Sequence, residues 1–176
     1  MADVRVLLVS GSTRSGSANT AALVTAAALA PPAVEPVLYQ GLAGLPAFNP
    51  DLDGDLLPAP VAELRREIEA AAAVLFCTPE YAGTLPGSLK NLLDWTVGGG
   101  QLYGKPAAWL NVAAANRGNG AQQTLASVLG YVGAVIVEPA CRHIPVDRSA
   151  IGPDGTISDP GFAAVLAETW TELVRP

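Results

Sequence analysis

The stretch that most limits the fold lies at the start of the chain, where an apolar run passes through a hydroxyl-rich turn into an alanine-rich segment. Val4–Val9 reads Val-Arg-Val-Leu-Leu-Val, nearly continuous and β-branched, the composition of a strand covered on both faces. Ser10, Gly11, Ser12, Thr13, Arg14, Ser15, Gly16, Ser17, Ala18, Asn19 and Thr20 follow. Such a turn, set between a buried strand and a helix start, is suited to a phosphate. The first N–H groups of a helix lack intrahelical partners and carry a partial positive charge, so an anion satisfies them. Ser12, Ser17 and Thr20 add neutral donors, and Arg14 adds charge-assisted, bidentate ones. The competing reading is an ordinary serine-rich helix cap on a surface loop. Two phosphate motifs fail here. Ser17 follows Gly16 where a P-loop needs lysine, and Ser12-Thr13 break the GxGxxG spacing of a dinucleotide site. A terminal monophosphate fits better than either.

The remaining chain alternates strand and helix patterns. A helix is expected over Asn19–Ala30, stopped by Pro31-Pro32. A strand is expected over Val34–Tyr39, and a long proline- and glycine-rich loop over Gln40–Pro60. Val61–Ala72 reads as an amphipathic helix, with Leu64 and Ile68 on one face and Glu63, Arg65, Arg66 and Glu67 on the other. Strands follow at Ala73–Cys77 and Pro106–Val112, with a fifth starting at Ala134–Val137. Helices are expected over Leu85–Trp95, Gly118–Tyr131 and Phe162–Val174. With 176 residues, this alternation points to one domain built on a doubly wound parallel sheet.

Composition closes off other classes. A net charge of −6 without a basic stripe argues against nucleic-acid binding. Met1-Ala2-Asp3 lacks the basic start of an export signal, and no apolar run is long enough to span a bilayer. Cys77 and Cys141, the two cysteines, make no disulfide framework. A cytoplasmic location is expected, with no nucleic-acid or membrane partner.

Ligands of doubly wound sheets bind beyond the carboxyl ends of the strands. After the first strand comes the Ser12–Thr20 turn. After the third comes Thr78-Pro79-Glu80-Tyr81-Ala82-Gly83-Thr84-Leu85-Pro86-Gly87, and after the fourth Ala113-Ala114-Ala115-Asn116-Arg117-Gly118-Asn119-Gly120. The third-strand loop has backbone groups that could read the edge of a flat heterocycle, and Tyr81 offers an aromatic face. Taken singly, Tyr81 also reads as a packing aromatic and Glu80 as a solvated charge or helix-capping acid.

Gly11-Ser12-x-Arg14-x-x-Ser17-x-Asn19-Thr20, together with Pro79-Glu80-Tyr81-x-x-Thr84-x-Pro86-Gly87-x-Leu89-Lys90-Asn91-x-x-Asp94-Trp95, closely resembles the NADPH-dependent FMN reductase family. These are flavodoxin-like quinone, azo-compound and chromate reductases. Leu45-Pro46-Ala47-Phe48-Asn49-Pro50-Asp51 and Asp154-Gly155 extend the likeness over essentially the whole chain. The resemblance implies one flavodoxin-like FMN-binding domain over residues 1–176, with five parallel strands in the order 2-1-3-4-5 and helices on both faces. It implies that Ser12, Arg14, Ser17, Asn19 and Thr20 hold the FMN phosphate. Pro79, Glu80, Tyr81, Ala82, Gly83 and Thr84 would flank the isoalloxazine ring, mostly through backbone groups. The fourth-strand loop, with Ala115 and Asn116, would close over the ribityl chain and ring edge. The flavin would take hydride at N5 from NADPH or NADH and pass electrons, in a ping-pong sequence, to a small acceptor such as a quinone, azo compound, chromate or free flavin. No catalytic acid, base or nucleophile is then expected.

The fourth-strand loop departs from the family, which usually has a serine and a Gly-Gly pair there. Here it reads Ala-Ala-Ala-Asn-Arg-Gly-Asn-Gly-Ala, in which Asn116 and Arg117 could still offer polar contacts and Arg117 could meet a phosphate of the nicotinamide dinucleotide. Thr84 keeps a hydroxyl where serine is usual. A Cys77 phosphatase loop fails because Gly83 stands where arginine is needed. Cys141 and His143 could form a thiol–imidazole pair on one strand face, and no cluster at metal-ligand spacing exists. In the family, the helix carrying Lys90, Asn91, Asp94 and Trp95 contributes to the dimer interface, for which Trp95 would be an anchor. A homodimer or homotetramer is expected. Two other readings of the pattern are a flavodoxin-like electron carrier served by a protein partner and a nonenzymatic sensor of a phosphate ligand.

Overall fold

β1 (Val4–Ser10) pairs in parallel with β2 (Val34–Tyr39) on one side and β3 (Ala73–Cys77) on the other. β3 pairs with β4 (Pro106–Asn111), and β4 with β5 (Val135–Ile136), all parallel. This is the expected 2-1-3-4-5 order, flavodoxin-like. The computed structural model describes residues 4–175. Residues 1–3, on which the expectation of no export signal rests, fall outside it. None of its helices is long and apolar enough to cross a membrane.

Successive residues of β1 enter opposite cores, as a pleated strand requires. Leu7 and Val9, with Val74 and Phe76 of β3, pack on α2 (Ala59–Ala70), α3 (Gly87–Asp94) and α4 (Asn119–Tyr131). Val6 and Leu8, with Leu75 and Cys77, meet α1 (Ala18–Ala28) and α5 (Pro160–Leu173). The Trp170 indole of α5 is fully buried and donates to Ala26 O at 3.1 Å, which ties α5 to α1. Each such buried large side chain contributes roughly 1.5–3 kcal/mol.

Helix ends follow their caps. Ser17 accepts the Asn19 N–H at 3.2 Å and so starts α1 at Ala18. Proline in the first turn of a helix loses no intrahelical bond, so α2 begins at Ala59, ahead of the expected Val61, and includes Pro60. Likewise α5 begins at Pro160, ahead of the expected Phe162, and the Asp159 carboxylate accepts the Phe162 N–H at 2.7 Å.

The fifth strand differs from the expectation. It is broken after Ile136 by a 3-10 turn, Glu138–Ala140, and a short β6 (Arg142–His143) then pairs with the far end of β4. Pro139 has no N–H to give the ladder and a fixed φ, so the chain turns there. Ala140 N donates to Val137 O at 2.8 Å in that turn.

Two side chains read as surface or interface groups are internal. Arg65, expected on the polar face of α2, is 8 % exposed; its Nε donates to Trp95 O at 2.9 Å and its Nη2 pairs with Asp53 at 2.6 Å. Trp95 is fully buried within its own chain and cannot anchor a partner. Its Nε1 donates to Pro46 O at 2.9 Å and its ring meets Phe48 edge-on at 4.9 Å. Asn91 accepts the Phe48 N–H at 2.7 Å and donates to Pro46 O at 2.9 Å. The long loop after β2 is therefore stapled onto α3 and carries two 3-10 turns, Leu42–Gly44 and Pro50–Leu52.

Candidate functional site

Three loops converge beyond the carboxyl ends of β1, β3 and β4. In the first, Gly11 N donates to Cys77 O at 2.8 Å, prolonging the β1–β3 ladder by one residue. A Cβ at Gly11 would run into the Thr78 side chain, so this approach requires glycine. Ser10 and Thr20 share a hydroxyl–hydroxyl bond of 2.8 Å, and the Ser12 N–H donates to Ser10 Oγ at 3.3 Å. Beyond it the backbone N–H groups of Thr13, Ser15, Gly16 and Ser17 find no acceptor among the described residues. Arg14 is exposed and makes no ion pair among them either. Below the loop Asn19 donates to Ser17 Oγ and accepts from Cys77 Sγ, both at 3.4 Å. Burial holds the Cys77 thiol well above its ordinary pKa, which removes it as a nucleophile.

The second loop turns back on itself. Tyr81 and Thr84 exchange N–H···O bonds of 3.0 and 3.1 Å, with Ala82 at φ +50° and Gly83 at φ +75° between them. Two positive φ values in this frame make a type I′ turn. Alanine in that region costs about 1 kcal/mol. The turn consumes the N–H and C=O of Tyr81 and Thr84, and the Gly83 carbonyl lies against Gly120 at the start of α4. The Thr84 hydroxyl bonds Thr124 Oγ1 at 2.9 Å, and Thr124 donates to Gly120 O at 2.8 Å. Glu80 resolves toward the capping alternative: its Oε2 accepts the N–H groups of Gly120 at 2.7 Å and Ala121 at 3.1 Å. α4 has no cap of its own, since Gly118 at its N-terminus offers no side chain.

The third loop is organised by a residue that sequence reasoning missed. Asn111, buried at the end of β4, accepts the Ala113 N–H at 3.0 Å and donates to Arg117 O at 2.9 Å. The loop between passes through left-handed positions at Asn116, φ +62°, and Gly118, φ +83°. His143 bonds Ala113 O through Nε2 at 2.9 Å, while Cys141 Sγ contacts Val137 O at 3.6 Å. The thiol–imidazole pair does not form. Asparagine ending a strand was the available signal for Asn111; Thr124 and Arg148 carried none.

The expected site residues divide between two openings. A cavity of about 820 Å³ is lined by Asn19, Pro79, Glu80, Asn116, Arg117 and Arg148. A second, of about 410 Å³, brings Ser12, Arg14 and Thr20 against Tyr39 and Leu42. Ser17, Tyr81, Ala82, Gly83, Thr84 and Ala115 line neither: Ser17 is buried at the start of α1, beside a smaller hollow against Ile151 and Gly155, and the other five are exposed. Free N–H groups, hydroxyls and one arginine at a helix start are the donor set of a phosphate monoester. The wide polar opening beside them suits the rest of a mononucleotide-like group. Among the described residues no three His, Cys, Asp or Glu side chains stand together as a metal site.

A sequence profile of the NADPH-dependent FMN reductase family matches residues 4–147. The chain belongs to this family. An NAD(P)H-dependent FMN reductase of Pseudomonas aeruginosa is 42% identical over 123 residues, 69% of this chain and 66% of that protein. A 2-hydroxy-1,4-benzoquinone reductase of Burkholderia is 32% identical over 88% of this chain and 85% of that one. Among solved structures, FerB of Paracoccus denitrificans, a flavoenzyme NAD(P)H:(acceptor) oxidoreductase, aligns with a TM-score of 0.79 at 30% identity, covering 96% of this chain and 94% of that one. As an NADPH-dependent FMN reductase family member the chain is an oxidoreductase, with FMN as cofactor and NAD(P)H as co-substrate. The donor set of the first loop fits that cofactor.

Proposed function

We propose that this chain, acting as a single FMN-binding domain, uses NAD(P)H to reduce a small acceptor such as a quinone, azo compound, chromate or free flavin. Both substrates visit one site in turn. The observation that carries the reading is the first loop, where free backbone N–H groups surround an unpaired Arg14 at the start of α1. Ser12, Arg14, Ser17, Asn19 and Thr20 would hold the FMN phosphate. Pro79, the exposed Tyr81, Ala82 and Gly83 would flank the ring, and Ala115 and Asn116 would close its far edge. When bound, the flavin supplies the chemistry, accepting hydride from NAD(P)H and releasing electrons to the acceptor.

The protein's own share is positioning. Glu80 and Thr84 clamp the ring loop onto α4, so the two walls move as one body. No side chain is assigned as acid, base or nucleophile. The quinone class is supported by the Burkholderia relative, whose acceptor is a benzoquinone. The chain is expected to work as a homodimer or homotetramer in the cytoplasm.

The deciding experiment is an absorption spectrum of purified protein with added FMN, followed by NADPH under anaerobic conditions. A bound flavin that bleaches with NADPH and is reoxidised by quinone supports the reading. A bound flavin that stays oxidised moves the protein to an electron carrier, and absence of binding overturns the site.

A further inference from the structure

Of the ten basic side chains, Lys105 donates to backbone carbonyls of α2 and the residue after it, and Arg66, on α2 and away from both cavities, makes no ion pair among the described residues. The other eight divide into two groups. Arg5, Arg65, Lys90, Arg142 and Arg175 are paired with carboxylates. Arg14, Arg117 and Arg148 make no ion pair among the described residues, and all three border the two cavities. In a chain of net charge −6, unpaired guanidinium groups gathered at one end of the sheet run against the overall trend and mark a place where negative charge belongs.

Arg14 answers to the phosphate loop. Arg117 and Arg148 lie on the larger cavity instead, on the loops after β4 and β6. Among the described residues the only carboxylate lining that cavity is Glu80, which accepts the N–H groups of Gly120 and Ala121. Asp147, next to Arg148 in sequence, is committed to the Ser149 N–H and hydroxyl at 2.8 and 2.7 Å. Among the described residues neither carboxylate forms an ion pair with Arg117 or Arg148. Both stand on fixed backbone: Asn111 holds the Arg117 carbonyl, and Asp147 caps the 3-10 turn that starts at Arg148. A fixed base lowers the entropy lost when a ligand orders the side chain.

We infer that Arg117 and Arg148 form an anion-binding rim that takes a phosphate of the reduced nicotinamide dinucleotide, the second ligand of the site. Guanidinium groups suit this role because their forked donors match phosphate oxygens. Neutral donors from Asn116 and Asn119 line the same opening. The inference rests on the reading given under Proposed function and adds which residues receive the dinucleotide. The phosphate is either the 2′-phosphate, present only in NADPH, or the pyrophosphate, shared with NADH.

The test uses flavin-loaded protein with Arg117→Gln and Arg148→Gln, singly and together. Each substitution is expected to raise the KM for NADPH about tenfold and to weaken competitive inhibition by 2′,5′-ADP to the same degree. A direct titration of 2′,5′-ADP into the protein reads the same loss without turnover. Loss confined to NADPH assigns the rim to the 2′-phosphate, whereas equal loss with NADH assigns it to the pyrophosphate; either supports the rim. Unchanged KM values with unchanged 2′,5′-ADP binding overturn it. So does loss of FMN in place of the dinucleotide, which would make the arginines part of the flavin phosphate site. Failure of the unsubstituted protein to hold FMN or oxidise NAD(P)H strikes the proposed function itself; an active parent with indifferent variants strikes only the rim.

Discussion

Glu80 and Gly120 stand forty residues apart, and the carboxylate of one accepts the backbone N–H of the other at 2.7 Å. The bond joins the turn after β3 to the first residues of α4. Capping a helix from another loop satisfies the same orphan donors that a local cap would, and places negative charge where the helix dipole favours it. Here the consequence is mechanical: the walls on either side of the proposed ring site share one support.

Removing that support should loosen both. Glu80→Ala is expected to cost about 1–2 kcal/mol of stability, the usual loss for a helix cap, and to weaken FMN binding. Glu80→Gln keeps an accepting oxygen and should recover part of each. Urea unfolding and FMN titration of the two variants provide the check; equal behaviour of alanine and glutamine would show that the carbonyl oxygen contributes nothing.

Gly120 also has no room for a side chain, because a Cβ there would run into the Gly83 carbonyl. Gly120→Ala should push the strained turn and α4 apart. The expected result is a loss of FMN affinity of at least tenfold, about 1.4 kcal/mol, read by flavin fluorescence.

Arg14→Ala should weaken FMN binding by roughly 1.5–3 kcal/mol, the worth of charge-assisted hydrogen bonds. Arg14 is exposed and unpaired, so thermal stability of the flavin-free protein should barely move. Unchanged FMN affinity in this variant would remove the phosphate assignment.

Arg65 is the opposite case. It is buried, paired with Asp53 and bonded to Trp95 O. Arg65→Ala strands the Asp53 carboxylate in a largely enclosed place, and breaking such a pair costs about 3 kcal/mol. The midpoint of urea unfolding should fall accordingly, and the loop after β2 should become the first site of limited proteolysis.

Alkaline pH should erode the fold through the buried Cys77 thiol, which burial holds protonated, and through two further groups. Burial raises the Cys141 thiol from 9.0 to about 11, and raises the Tyr39 phenol from 10.0 to about 12 with help from Glu63 and Glu67. Both hold their protons more tightly folded than unfolded. Their contribution is therefore complete below pH 9 and lost as pH climbs through the folded values. Unfolding midpoints measured at about pH 8 and about pH 10.5 should differ, with the lower midpoint at the higher pH. Thiol-modifying reagents should reach Cys77 only after denaturation.

The strands of the sheet were legible because their residues are apolar on both sides and their neighbours in sequence are polar or glycine-rich. Val34–Tyr39 and Ala73–Cys77 fall where the pattern places them. Helix starts moved by one or two residues wherever proline sits in the first turn, since proline reads as a breaker in sequence yet is neutral there. Arg65, Trp95 and Asn111 were misread or missed for a shared reason. Their partners lie far away in sequence or are backbone atoms, and neither leaves a periodic trace. Asp53 and Trp95 meet Arg65 from opposite sides of the chain order. The separation of Asn19, on the larger cavity, from Ser12, Arg14 and Thr20, on the smaller, was equally invisible, because it depends on the path of the first loop in space.

The break between β5 and β6 also governs how copies of this chain could join. Each piece is two residues long, too short for another backbone to zip along it. At the opposite border, β2 carries Pro36, which has no N–H, next to an exposed Glu35. With both borders blunted, the sheet cannot be lengthened by a neighbour, and assembly is left to helix surfaces and loops. The same arrangement guards a sheet rich in valine and leucine against growing into a fibre.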